Sequence, residues 1–97
     1  MNYEIQTTSN FDKWLKNLTD RKAALAILQR INRAKIGLFG DVKAVGDGVI
    51  EMRVFVGQGY RVYFTIRDAE IILLLCGGNK SSQQRDIEKA KNLRNQL

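Results

Sequence analysis

Two arginines and a lysine are the residues in this sequence best suited to chemistry on a phosphate. Arg53 and Arg61 flank residues 57–59, a Gly-Gln-Gly segment between two stretches of alternating pattern, and Lys80 follows the tripeptide at 77–79. Guanidinium groups donate paired hydrogen bonds to phosphate oxygens and keep their charge at any working pH. The three residues therefore indicate an anion site, and a solvated polar sheet face is an equally good interpretation.

The charge and composition limit the chemistry further. Sixteen Lys and Arg against ten Asp and Glu give a formal charge of +6, which favours a polyanionic partner. The absence of His and the single Cys exclude Ser–His and Cys–His nucleophile pairs, most zinc sites and an internal disulfide. Proton transfer must then use Lys, Arg, Tyr or carboxylates. We expect no metal and no cofactor.

The length and hydropathy predict one cytoplasmic domain covering residues 1–97. The hydrophobic share of 44% is enough for a single core. The longest apolar run, residues 71–76, is far shorter than the roughly 20 residues that cross a bilayer. The first residues carry neither a basic nor an apolar segment of a secretory signal. We therefore expect no membrane association.

Apolar residues recur at helical spacing in two segments near the N-terminus. The stripes are Phe11, Trp14, Leu15 and Leu18, then Ala24, Ile27, Leu28 and Ile31. Asp20 is the predicted N-cap of the second helix, Gly37 follows its end, and Arg30 falls on its polar side. A short strand at residues 3–7 precedes this helical hairpin.

The second half of the chain alternates with period two. Residues 37–48 contain four glycines and predict a loop, which carries Lys43. Three antiparallel strands follow, at residues 49–56, 60–67 and 70–76. Ser81 with Gln84 is a capping-box pattern that opens a last helix. The order βααβββα predicts an α+β fold, an antiparallel sheet with the N-terminal helical hairpin packed on one face and a C-terminal helix.

Turn lengths predict which side chains meet on this sheet. A three-residue loop at 57–59 and a two-residue turn at 68–69 set the register. The predicted pairs are Arg53 with Tyr63, Phe55 with Arg61, and Arg61 with Cys76. Even-numbered residues of the first two long strands then face the core, and odd-numbered ones share an open face that carries the chemistry.

Three segments read together resemble a known superfamily. They are Glu-x-Arg at 51–53, Gly-Tyr-Arg-Val-Tyr-Phe at 59–64 and Gly-Gly-Asn-Lys at 77–80, in this order after a helical hairpin. They resemble the RelE/ParE superfamily, specifically the phage-related addiction module killer proteins (HigB-type) of type II toxin–antitoxin systems. The resemblance covers residues 3 to 90.

The resemblance implies a toxin that cleaves mRNA on the ribosome, stops translation and is neutralised by a cognate antitoxin, usually a small helix-turn-helix protein. Carried over by position, Arg53 and Arg61 would hold the phosphate and Lys80 would assist. Lys43 is the candidate base, and Tyr63 is a candidate for acid or stacking work. Some members of the superfamily use a His or a Tyr in the final helix for proton transfer, and this sequence has neither. The resemblance therefore does not identify the general acid.

Two other functions remain compatible with the sequence. ParE-type members of the superfamily inhibit DNA gyrase without cutting RNA, and fold alone does not separate the two activities. The charge of +6 also suits a non-enzymatic module that only binds nucleic acid, with strong salt dependence and no product. The cationic cluster favours the RNA-cleaving alternative.

Overall fold

The computed structural model describes residues 2–97 as a five-stranded sheet with helices on both faces. The elements are β1 (Glu4–Thr7), α1 (Ser9–Asn17), α2 (Arg21–Lys35), β2 (Val42–Gly46), β3 (Val49–Val54), β4 (Tyr60–Arg67), β5 (Ile71–Asn79), a 3₁₀ turn (Lys80–Ser82) and α3 (Gln83–Asn95). The sheet order is β1-β5-β4-β3-β2. The predicted α+β class is confirmed. No helix within residues 2–97 is long and apolar enough to cross a membrane.

Part of the predicted glycine loop is a strand. β2 pairs antiparallel with β3 through a turn at Asp47 and Gly48, which both have positive φ, 53° and 76°. Asp-Gly is a strong signal for a type I′ hairpin turn, which requires positive φ at both residues. The prediction of a plain loop was wrong because every glycine in this segment was taken as a residue that ends regular structure, whereas Gly48 belongs to a hairpin turn. Lys43 therefore lies on an edge strand, opposite Glu51.

The first strand differs from the predicted antiparallel sheet in direction. β1 pairs with β5 in parallel, from Glu4 opposite Ile71 to Thr7 opposite Leu74. Parallel neighbours need a long crossover connection, which here includes the helical hairpin. The other four strands form an antiparallel meander.

The helical hairpin covers one sheet face, as predicted. Even-numbered residues of β3 and β4, such as Met52 and Phe64, pack in one cluster with Phe11 and Ile27 from the two helices. Asp20 caps α2, since its carboxylate accepts the backbone N–H of Ala23 at 3.0 Å. The predicted core face of the strands is confirmed, and so is the α1 stripe. In α2 the buried stripe is Ala23, Ile27, Ile31 and Ala34, so the prediction was wrong for Leu28, which is exposed.

Arg30 is a structural residue and not part of a solvated helix face. Its guanidinium donates to the backbone carbonyl of Arg53 at 2.6 Å and to that of Phe39 at 3.0 Å. Burial lowers the pKa of this guanidinium. Helix α2 thus holds the end of β3 at the point where Arg53 projects.

Helix α3 covers the middle of the other sheet face, which the sequence predicted to be open. A second cluster joins Val49, Tyr63, Leu73, Leu75, Cys76 and Ala90. The face is therefore closed over β4 at Tyr63 and Thr65, both buried. Because the helix begins only at Gln83, the sheet end that carries Arg53 and Arg61 is less covered, and both residues keep partial exposure.

Close approach of α3 to β5 requires glycine at position 78. A Cβ atom there would overlap a carboxylate oxygen of Asp86, which is buried and accepts a hydrogen bond from the Ser82 hydroxyl. We expect Gly78→Ala to lower the free energy of unfolding by about 1–3 kcal/mol through this overlap. Urea denaturation of the variant and the wild type measures this difference in the free energy of unfolding. Adding Asp86→Ala should recover part of the loss, and equal midpoints for Gly78→Ala and the wild type would contradict the steric argument.

Candidate functional site

Arg53 and Arg61 lie directly opposite each other on β3 and β4. The predicted pairs Arg53 with Tyr63 and Phe55 with Arg61 were wrong, because the loop between the strands spans 55–59 and not 57–59. Gly59 closes the loop by donating its N–H to the Val56 carbonyl at 3.0 Å. The longer loop shifts the register by two residues, so the face of each residue is unchanged while its partner differs.

The pairing of β4 with β5 also differs from the prediction. Arg61 lies opposite Gly78, and Cys76 lies opposite Tyr63. A bulge between Tyr63 and Phe64 moves the register by one residue. With glycine as its neighbour, the Arg61 side chain has no β5 side chain beside it.

Lys80 reaches the same end of the sheet through the turn that follows β5. Its backbone N–H donates to the Gly59 carbonyl at 3.3 Å, which ties this turn to the β3–β4 loop. Asn79 caps the turn, since its side-chain oxygen accepts from the N–H groups of Ser81 and Ser82. The capping box was predicted at Ser81 and Gln84, which is two residues too late. Its actual position is Asn79 and Ser82.

These three cations line one cavity of about 300 Å³, which we call the arginine cavity. Its lining is Arg53, Val54, Phe55, Gly57, Gln58, Gly59, Tyr60, Arg61 and Lys80. Three of the predicted site residues therefore come together. Within residues 2–97, no group of three or more His, Cys, Asp and Glu side chains is arranged to hold a metal ion.

The electrostatics of the cavity suit an anion. Like charges directly opposite each other destabilise a sheet, and each arginine has only one carboxylate to offset this. Arg53 pairs with Asp41 at 2.8 Å, and Arg61 Nε lies 3.6 Å from Glu51 Oε2. The Nε atoms of both arginines are buried and have no hydrogen-bond partner among the described residues. An anion bound between the two guanidiniums would offset the repulsion between them.

Glu51 is the central buried residue of the site, which the sequence indicated only as part of the Glu-x-Arg motif. It is 1% exposed, and its Oε2 accepts hydrogen bonds from the Tyr63 hydroxyl at 3.0 Å and the Gln83 amide at 2.9 Å. The same oxygen faces Arg61. Glu51 thus connects the cavity to the start of α3. The Glu-x-Arg motif placed Glu51 on the correct face, but no local signal marks Gln83 as its partner.

Tyr63 does not reach the surface. It is fully buried under α3, and burial together with the adjacent Glu51 raises the pKa of its phenol far above the ordinary value. A buried neutral phenol cannot stack on a nucleotide base, so the structure does not support the predicted surface role. In the fold, the Tyr63 hydroxyl donates a hydrogen bond to Glu51 and so fixes the position of that carboxylate.

The raised pKa of Tyr63 predicts a loss of stability at alkaline pH. Because the unfolded phenol ionises near pH 10 and the folded one does not, the stabilisation is present below about pH 10 and falls above it by up to about 1.4 kcal/mol per pH unit. Tyr63→Phe should make the alkaline decline shallower. Urea midpoints from pH 7 to about pH 11 measure this, and parallel declines for the two proteins would contradict it.

Lys43 lies on the same sheet face but outside the arginine cavity. It is exposed on β2, opposite Glu51, and does not line the cavity. Adjacent strands are about 4.8 Å apart, so two strand spacings separate β2 from Arg61 on β4. The structure thus brings Lys43 to the face of the site without placing it in contact with the three other cations.

Phe55 is a residue that the sequence analysis did not select as functional. Its ring is 76% exposed at the edge of the cavity, and the Arg53 guanidinium carbon lies 6.0 Å from the ring centre. The sequence signal was an aromatic residue on the odd-numbered face next to a glycine-rich turn.

A known protein family matches most of the chain. The family described as phage derived protein Gp49-like (DUF891) matches residues 13–95. The chain belongs to this family. An uncharacterized protein of Haemophilus influenzae (strain ATCC 51907 / DSM 11121 / KW20 / Rd) is 46% identical over 97 residues, which are 100% of this chain and 98% of the relative.

The fold of this Gp49-like protein also matches a solved toxin structure. An arginine-to-alanine double mutant of the Escherichia coli toxin RelE, in the free state, superposes with a TM-score of 0.75. The match covers 95% of this chain and 98% of the other, with 14% identity. At this identity the match shows the fold alone. The predicted RelE-like fold is therefore confirmed, and the family shown for the chain is the Gp49-like one.

Proposed function

We propose that this Gp49-like protein is the toxin of a toxin–antitoxin pair and acts as a ribosome-dependent mRNA endoribonuclease in the cytoplasm. The observation that carries the proposal is the pair of opposed arginines, which line one cavity together with Lys80. The RelE fold supports it. A cognate antitoxin, a small helix-turn-helix protein, would keep the toxin inactive.

The proposed reaction is attack of a ribose 2′-hydroxyl on the adjacent phosphorus. The hydroxyl loses its proton to a base, the new P–O2′ bond forms, and the P–O5′ bond breaks as the 5′-oxygen takes a proton. Arg53 and Arg61 donate hydrogen bonds to the phosphorane oxygens, where negative charge develops. Their opposed placement lets one phosphate contact both guanidiniums.

Proton transfer falls to the two lysines on this face. Lys43 is the candidate base, and it requires the RNA to cross β3 from the cavity towards the β2 edge. With Tyr63 buried, we assign the general acid to the Lys80 ammonium, which lines the cavity. The exposed position of Lys43 on this sheet face and the place of Lys80 in the cavity lining support these assignments.

Cleavage mapping tests the proposal. Purified protein is incubated with naked mRNA and with the same mRNA on programmed ribosomes, and the products are mapped by primer extension. The double variant Arg53→Ala/Arg61→Ala is the inactive form. Arg67→Ala is its matched control, because Arg67 is an exposed arginine on β4 outside the arginine cavity. We expect cuts only on ribosomes, present with wild type and Arg67→Ala and absent with the double variant.

Other outcomes have distinct meanings. Cuts on naked mRNA that depend on the arginines would keep the nuclease and overturn its ribosome dependence. Growth arrest without cuts in either sample would overturn the nuclease, and a supercoiling assay with purified gyrase would then test the ParE-type activity. RNA binding with steep salt dependence and no product would indicate a binding module.

A further inference from the structure

We infer that the β3–β4 loop forms a nucleobase-binding subsite beside the arginine cavity, with Phe55 as the stacking surface and Gln58 as the residue that contacts the base edge. The inference rests on the proposed function in one respect, that the ligand is single-stranded RNA. It adds a subsite for a base to a site so far described only by its phosphate-binding cations.

Phe55 is exposed in a way that packing does not explain. It is the most exposed of the large hydrophobic side chains in residues 2–97; the others are Leu25, Leu28, Ile36, Leu38 and Leu97, at 45–60%. The ring belongs to neither core cluster. Leaving a Phe side chain in water forgoes roughly 1.5–3 kcal/mol of burial, which a stacked base would recover.

The neighbours of the ring match the parts of one nucleotide. Arg53 lies 6.0 Å from the ring centre, and Arg61 and Lys80 line the same cavity. In a nucleotide, a flat base and an anionic phosphate are held one ribose apart. Proteins that bind single strands pair a cationic groove with aromatic side chains on which bases stack. Around Phe55, one aromatic ring and a cavity lined by three cations provide the same two features.

Gln58 supplies hydrogen-bonding groups in the same cavity lining as Phe55. It is exposed, and its side-chain amide donates one hydrogen bond to the Tyr60 hydroxyl at 3.2 Å. An amide has a second N–H and a carbonyl oxygen, and both stay available for the edge of a base. Gln58 can therefore distinguish bases that Phe55 accepts equally.

The β3–β4 loop makes contacts on both of its sides, with the start of α2 and with the turn of Lys80. Gly57 and Gly59 have positive φ, 59° and 83°, and a Cβ atom on Gly57 would lie 2.7 Å from an Asp20 carboxylate oxygen at the start of α2. On its other side the loop is tied to the turn of Lys80 by a backbone hydrogen bond. A loop fixed at both sides loses little entropy on binding.

The charge around Phe55 favours RNA over a protein partner as the occupant. A protein-binding anchor is normally part of a contiguous apolar patch. Phe55 instead shares a cavity lining with three cations and a glycine-rich loop. The exposed Leu25 and Leu28 lie elsewhere, on α2, in the groove against α1. An antitoxin anchored on Phe55 is therefore an outcome that the test must distinguish.

Binding of short RNA tests the subsite independently of cleavage. The probe is a fluorescent pentanucleotide with 2′-O-methyl groups, which blocks 2′-hydroxyl attack, together with a series in which each base in turn is replaced by an abasic ribose. Anisotropy titrations use wild type, Phe55→Ala, Phe55→Trp and the control Leu38→Ala, which removes an exposed hydrophobic residue outside the cavity.

We expect Phe55→Ala to weaken binding about tenfold and Phe55→Trp to restore it, with Leu38→Ala equal to wild type. One abasic position should weaken wild type by a similar factor and have no further effect on Phe55→Ala. Gln58→Ala should reduce the preference among the four bases at that position while leaving the abasic penalty in place.

The subsite is overturned if Phe55→Ala binds as wild type does, or if it shows the same abasic penalties. It is also overturned if wild type binds none of the probes. Loss of binding to a co-purified antitoxin in Phe55→Ala, with unchanged RNA binding, would make the ring a protein anchor instead. An abasic penalty that depends on Phe55, from a protein that does not cut mRNA on ribosomes, would support the subsite and overturn the nuclease.

Discussion

We expect Arg61→Ala to lower the rate of the proposed mRNA cleavage on ribosomes by about 10²–10³-fold, because one charge-stabilising donor is removed from the reacting phosphate. Arg61 is only 12% exposed, lines the arginine cavity and faces Arg53 across the sheet. Single-turnover cleavage of a defined message measures the rate. Arg67→Ala, with the same change in charge on the same strand, should cleave as wild type does.

The same substitution also removes the cation beside Glu51, so folding has to be followed separately. Urea denaturation should show that Arg61→Ala is folded under the assay conditions, because Glu51 keeps its hydrogen bonds from Tyr63 and Gln83. Arg61→Lys retains the charge without the planar fork, and its rate should fall between wild type and Arg61→Ala. A folded Arg61→Ala protein with the wild-type rate would overturn the catalytic assignment.

Glu51→Ala lowers the free energy of unfolding by about 3–5 kcal/mol, the cost of breaking a buried ion pair from one side. The substitution leaves Arg61 without its carboxylate and removes the acceptor of both Tyr63 and Gln83. Such a loss is a large share of the stability of a small protein. The midpoint of urea denaturation measures it.

Two further variants identify the source of this loss. Glu51→Gln keeps an oxygen acceptor but not the negative charge, so its loss of stability should be smaller than that of Glu51→Ala. Glu88→Ala removes an exposed carboxylate from α3 and should unfold at the wild-type midpoint. A Glu51→Ala midpoint equal to that of Glu88→Ala would show that the buried network does not stabilise the fold.

Local patterns in the sequence determined every α-helix and strand except β2, and they determined which residues of β3 and β4 share a face. Helical spacing in α1 and α2 and the alternation in β3 and β4 predicted the core side of each, since a buried face selects apolar residues at fixed periods. Because positions 53 and 61 are both odd-numbered, the alternation predicted both arginines on the sheet face away from the helical hairpin. The segments that carry the family resemblance lie on these same strands.

The tertiary structure alone decided which side chains meet. Register depends on loop length and bulges, and a five-residue loop in place of a three-residue one exchanged Tyr63 for Arg61 as the partner of Arg53. A shift by two residues keeps every side chain on its face, so the hydrophobic pattern contains no information about it.

The cover of the second sheet face was likewise decided by packing between distant segments. Helix α3 has a narrow apolar stripe, yet it buries Tyr63 and brings Gln83 to Glu51, residues far apart in the chain. A periodic pattern describes one segment at a time, whereas burial of a polar network depends on how two segments approach each other. The sequence by itself therefore determined that this protein presents cations on one sheet face, and the tertiary structure decided which of them share a cavity.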